Sequence, residues 1–174
     1  MNEADHTEMV HESGRWIAII LITFALHFAW EMAQHNLFQQ MQSMPFWRAT
    51  AWCVRATVGD LVITTIAFSA AAMSGGRHWP LIRRRLSPAL IFLAVGILIT
   101  IGYEIYAVST GRWAYGERMP QILGIGLSPL LQWIVIPLLE IAAFRKIWRR
   151  ARIDLLERTP RDHAAAERCI TNRT

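Results

Sequence analysis

Long apolar stretches alternate with short polar ones between Trp16 and Phe144. Crossing ~30 Å of hydrocarbon at ~1.5 Å per helical residue takes roughly 20 residues. Four runs reach that length: Trp16 to about His35, about Thr50 to Met73, about Ser87 to Ser109, and a fourth between Pro120 and Phe144. Strand-like alternation is absent, and a helix satisfies its own backbone in a phase without water. The pattern predicts an all-α integral membrane bundle of four transmembrane helices. In the fourth run, Gly124, Gly126, Pro129 and Pro137 argue against one helix from Pro120, because an interior proline removes a donor and crowds the preceding turn. "LSPLLQW" reads as a start, with Ser128 as N-cap and Pro129 in the first helical position. Helix four is therefore expected from about Pro129 to Arg149, ending in "RKIWRR", whose cations suit a helix carboxyl end. Residues 109 to 128 become a long outer loop, long enough to fold back as a lid or re-entrant segment.

Composition agrees. The chain has 174 residues, 53% hydrophobic and 18% charged, with a mean hydropathy of +0.26. Its expected organisation is a segment 1–15, a four-helix domain 16–149 and a basic tail 150–174, in which Ile153, Leu155 and Leu156 suggest a short amphipathic extension. The opening "MNEADHTEMVHESGRW" is acidic and no small-residue cleavage site follows the first run, so that run is expected to remain as an anchor. Cys53 falls in the second run and Cys169 in the tail, on opposite sides of the expected topology, which disfavours a disulfide. Most of the 18 Lys and Arg lie before helix one (Arg15), between helices two and three (Arg77, Arg83, Arg84, Arg85) or after helix four. The positive-inside rule then puts both termini in the cytoplasm of a bacterial inner membrane. The pI of about 10.0 follows from that placement beside anionic headgroups, and nucleic-acid binding is not needed to explain it.

The polar residues inside the runs carry the candidate chemistry. His27, Glu31 and His35 stand four apart in "ALHFAWEMAQHNL" and fall on one helical face. Helix two contributes Arg55 and Asp60 to its outer half, helix three Glu104 to its outer third, and helix four Gln132 and Trp133 to its first turns. A charge at membrane depth costs ~2.5 kcal/mol or more unless paired or hydrated. Four helices placing polar groups at one depth therefore imply an outward-opening polar cavity. Glu31, His27, Asp60 and Glu104 are the candidate catalytic residues. His35, Arg55, Tyr103, Arg112, Trp113, Tyr115, Gln132 and Trp133 are candidates for substrate contacts. Thr57, Asp60 and Thr64 share a face of helix two, while Arg55 lies about 140° from Asp60 and is expected to answer a carboxylate on a neighbouring helix.

Bland alternatives accompany these assignments. His27 also reads as a core histidine, Asp60 with Arg55 as a structural ion pair, and the tryptophans as an interfacial belt. Glu140, about three turns into helix four, reads as a partner of Arg145 or a snorkelling group. Metal binding is a minor alternative, since zinc motifs place two histidines four apart, whereas His27 and His35 lie ~12 Å apart along the axis. No cofactor is expected. The expected partners are membrane lipids and a lipophilic small molecule, and the sequence leaves the oligomeric state open.

"HFAWEMAQ", "GDLVITTIAF" and "GRWAYGERMP…GIGLSPLLQW" resemble the blocks of a family of small four-helix bacterial membrane proteins, covering most of residues 27 to 137. "EIYAVSTGRWAYGERMPQILGIGLSPLLQWIVIP" is similar to the lycopene cyclase domain, with its acidic residue, Gly-x-Trp-x-aromatic segment and Leu-Pro-Leu helix start. That domain has two acids directly after the helix start; here those positions hold Leu131 and Gln132. The order of polar residues along the helices also resembles the EXPERA sterol isomerase layout. Both likenesses imply alkene protonation in an isoprenoid or lipid, with Glu31 as acid, His27 as relay, and Asp60, Glu104 and the aromatic side chains steadying positive charge. An ion- or proton-handling protein and an assembly factor are the alternative classes.

Overall fold

The structure is a computed structural model describing residues 3–76 and 86–147. The arginines at 77 and 83–85, Cys169 and the amphipathic reading of the tail lie outside the described residues. The fold is all-α apart from one two-residue hairpin. Helix α1 spans Glu3–Gln34, α2 Phe46–Gly75, α3 Leu86–Ser109 and α4 Leu127–Ile147. All four carry a stretch long and apolar enough to cross a membrane.

Each helix is apolar toward its surroundings and partly polar toward its neighbours. Side chains such as Ile17, Leu21, Val58, Val62, Leu98 and Leu138 are exposed, while Thr23, His27, Glu31 and Gln34 form the buried seam of α1. Thr57 on α2, Thr100 and Glu104 on α3, and Gln132 and Glu140 on α4 continue that pattern. A bilayer stabilises this arrangement, because the exposed faces meet hydrocarbon and the polar groups meet each other. Toward the other end the seam turns apolar, where Ala67, Ala71, Phe92 and Ile141 form a small core. Gly96 lets α3 and α4 approach closely: a Cβ there would sit 2.1 Å from Cε3 of the Trp133 indole.

The connections explain where the helices stop. Gly76, at φ +82, closes α2 with its amide on the Ala72 carbonyl at 2.8 Å. Gly111, at φ +66, turns the chain after α3, and the Arg112 amide returns to the Ala107 carbonyl at 2.8 Å. Residues 110–126 then fold back onto the α1–α2 connection. The Gln39 amide donates to Ala114 O at 2.9 Å, the Gly116 amide to Leu37 O at 2.8 Å, and Phe38 and Tyr115 form an isolated bridge. Strands β1 (Gln121–Ile122) and β2 (Ile125–Gly126) make an antiparallel hairpin with Leu123 and Gly124 both at positive φ, as a tight hairpin turn requires. The Leu127 amide donates to Pro120 O at 2.8 Å, so the hairpin leads directly into α4. That helix accordingly begins at Leu127, two residues before the expected proline start.

Candidate functional site

His27 sits at the centre of the bundle with no exposed surface. Gln132 on α4 reaches it, Nε2 lying 2.9 Å from His27 Nδ1 and 2.8 Å from Asp60 Oδ2 on α2. Asp60 Oδ2 is itself 3.4 Å from His27 Nδ1. On the other edge of the ring, Nε2 lies 3.5 Å from Thr64 Oγ1 and 3.6 Å from Glu140 Oε1. The Trp133 ring flanks the imidazole at a centroid distance of 5.6 Å. Helices α2 and α4 thus converge on one histidine of α1.

The direction of the hydrogen bonds follows from one tryptophan. An indole N–H can only donate, so Trp30 Nε1 makes Gln34 Oε1 its acceptor, at 3.2 Å. Gln34 Nε2 must then donate, and it does so to Glu31 Oε1 at 2.7 Å and to Gln132 Oε1 at 3.3 Å. Gln132 Nε2 is consequently a donor as well, and its two hydrogens go to Asp60 and to His27 Nδ1. A neutral imidazole that accepts at Nδ1 carries its proton on Nε2. Nε2 of His27, the ring nitrogen that faces Thr64 and Glu140, therefore carries a proton.

Glu140 has an unusual environment for a carboxyl group. It is fully buried, and neither carboxyl oxygen has a hydrogen-bond partner. Its 3.6 Å approach to His27 is longer than a hydrogen bond. The snorkelling reading is thus corrected: Glu140 turns into the bundle. Gln132, Ile136, Glu140 and Phe144 repeat every four residues and are all buried, the same spacing that singled out His27 and Glu31. Gln34, three residues after Glu31, joins the same network at a position that four-residue spacing does not pick out.

Glu104 belongs to a second cluster. Its Oε2 accepts hydrogen bonds from Trp113 Nε1 at 3.3 Å and from the Tyr115 hydroxyl. Burial, and then the neighbouring Glu104 carboxyl, push the Tyr115 phenol up to about 12, so it stays a neutral donor. Tyr103 stacks edgewise on Trp113 at 5.4 Å. Arg112 lies over the Tyr106 ring at 5.1 Å on the surface.

Two side chains depart from their expected places. His35 takes no recorded part in the His27 network: α1 ends at Gln34, and His35–Leu37 tightens into a 3-10 turn. Its Nδ1 bonds the local Met32 carbonyl at 2.7 Å. Arg55 is exposed, its guanidinium 5.4 Å above the Trp52 ring. Among the described residues no carboxylate lies within ion-pair distance of it, because it projects from the face of α2 opposite Asp60. The polar groups around His27 close on one another as a packed network.

A separate cleft of about 220 Å³ lies between α1, α2 and α4, on the half of the bundle away from the 110–126 connection. Among the described residues no group of three or more His, Cys, Asp or Glu is arranged to hold a metal ion. Comparison with family profiles, curated proteins and solved structures gives no match. The four apolar spans and the polar seam between them define the class: a multi-pass helical membrane protein.

Proposed function

We propose that the His27–Glu140 pair is a buried proton-exchange site acting on a lipophilic alkene, of isoprenoid or other lipid type, in a double-bond shift or cyclisation. The observation that carries this reading is an imidazole set between carboxylates from two other helices, its proton directed at a carboxyl group that no hydrogen bond satisfies. Protonation forms a C–H bond from the alkene π electrons and leaves a cation on the neighbouring carbon. Loss of a proton from the next carbon to the pair restores the double bond one position along. Attack by a second double bond, followed by the same proton loss, closes a ring. Trp133 offers an aromatic face beside the pair. Asp60 and Glu31 are joined to the pair through Gln132 and Gln34. The likenesses to the lycopene cyclase domain and the EXPERA layout point to the same chemistry. No cofactor is required for it.

In this reading the protein lies in a bacterial inner membrane with both termini cytoplasmic, and the 110–126 loop is extracytoplasmic. Alkaline-phosphatase fusions within 110–126 should be active, and activity only in fusions between α2 and α3 would reverse the orientation. Deletion should change the lipid or carotenoid profile of the host, and a plasmid copy carrying Glu140→Gln should not restore it. An unchanged profile on deletion overturns the enzyme reading. The buried His27, Glu31 and Glu140 at membrane depth favour one second reading, a proton or cation relay. Proton flux into vesicles bearing the purified protein, with an unchanged lipid profile, would favour that alternative.

A further inference from the structure

Helix α2 begins with a face that the His27 network leaves untouched. Arg48, Trp52 and Arg55 follow one another at spacings of four and three, and so fall within about 60° of each other around the helix. All three are exposed. The Arg55 guanidinium lies over the Trp52 ring, 5.4 Å from its centre, and that of Arg48 lies 6.0 Å from the Trp47 ring. Asp60, the acid of α2, is engaged on the opposite face by the Gln132 amide. Among the described residues neither guanidinium has a carboxylate within ion-pair distance.

Depth makes that lack significant. The 30 residues of α2 extend ~45 Å at ~1.5 Å per residue, against a hydrocarbon thickness of ~30 Å. Phe46 and Trp47, 74% and 70% exposed, mark the membrane interface at its start. Arg55 is nine residues after Phe46, ~13 Å along the axis. With the excess length shared between the two ends of α2, its Cα lies just inside the hydrocarbon, where a charge is costly unless an anion answers it. Helical side chains lean toward the N-terminus, so the Arg55 guanidinium is carried back over Trp52 toward the headgroups. Arg48, ~10 Å nearer the water, adds a second positive charge at headgroup level. A guanidinium stacked on an aromatic ring keeps its N–H fork available in its own plane, where it matches two phosphate oxygens.

We infer that Arg48, Trp52 and Arg55 bind the phosphate of an anionic phospholipid headgroup, with Arg55 as the principal contact and Trp52 as the platform that holds it. Two cations without an acidic partner favour a lipid of net negative charge over a zwitterionic one, whose own cation would meet theirs. The site lies in the leaflet beside the 110–126 connection, because α2 starts directly after the segment on which that connection docks. It stands independently of the chemistry at His27.

Native mass spectrometry of the full chain released from detergent micelles tests the assignment, with phosphatidylglycerol and phosphatidylcholine of identical acyl chains offered in equal amounts. Phosphatidylglycerol should be retained in preference. Arg55→Ala should cut its retention about fivefold, the worth of one cation at the headgroup plane. Arg48→Ala and Trp52→Leu should each weaken it by a smaller factor. Arg118→Ala removes an exposed cation from the 110–126 connection and should leave retention unchanged. Equal retention of the two lipids, an equal loss in Arg118→Ala, or displacement of the lipid by glycerol phosphate in solution would overturn the assignment. A change in the number of copies per complex in Arg55→Ala would overturn it too, by making this face a contact between copies of the chain.

Discussion

Glu104 and Glu140 are both buried carboxyl groups on helices that line the same bundle, yet their surroundings are opposite. Glu104 takes two hydrogen bonds on one oxygen, from side chains of the 110–126 connection. Glu140 takes none, and His27 Nε2 lies 3.6 Å from its Oε1. A satisfied carboxyl group fastens structure, because removing either partner leaves a buried polar atom exposed to its full desolvation cost. An unsatisfied one is retained at the expense of stability, which is characteristic of groups kept for proton transfer or ligand binding. Under the proposed function, the comparison divides the molecule into a clamp and a reactive centre.

The largest effect should come from Glu140→Gln. If Glu140 belongs to the reactive centre, activity read from the host lipid profile falls about a hundredfold or more, while the melting temperature holds or rises because no hydrogen bond is lost. The equivalent Glu104→Gln should do the reverse, leaving the chemistry in place and making the 110–126 connection sensitive to protease. Interchanged results would erase the distinction.

Next in size, Gln34→Leu removes the link between Trp30, Glu31 and Gln132 and leaves buried polar atoms without partners. It should cost about 1–3 kcal/mol in thermal or denaturant unfolding. Gly96→Ala forces a methyl group against Trp133 beside His27, and about 1–3 kcal/mol of overpacking is expected from the same measurement.

The clamp gives a smaller, pH-dependent effect. Folding raises the Tyr115 phenol from 10.0 to about 12, so the folded protein favours the neutral form. Its contribution to stability is complete below about pH 10 and is lost as pH climbs toward 12. In an ultraviolet titration, a phenol ionisation near pH 12 should vanish in Tyr115→Phe. Arg55→Ala, at the other extreme, should change stability by less than about 0.5 kcal/mol, because Arg55 is exposed with its guanidinium 5.4 Å from the Trp52 ring.

Much of this arrangement is legible in the sequence, because hydrophobic length sets the spans and four-residue spacing sets their faces. His27, Asp60 and Gln132 were expected to converge, and they do. Depth counting misled at Glu140: measured along the helix it lies apart from His27, but its face is that of Gln132, and the side chains close the gap. His35 shows the converse, since four-residue spacing holds only while the α-helix continues, and it stops at Gln34. The clamp was hidden for another reason. Whether residues 110–126 dock on the α1–α2 connection depends on backbone bonds such as Gly116 to Leu37, which no side-chain pattern encodes.

The orientation of the His27 proton is the most direct test of the account. Nitrogen NMR of isotope-labelled imidazoles, with His27 assigned among the 6 histidines by substitution, reports which ring nitrogen is protonated. The network predicts a proton on Nε2, with the signal altered in Glu140→Gln and in Gln34→Leu. A proton on Nδ1, indifferent to both substitutions, would contradict the proposed direction of proton exchange.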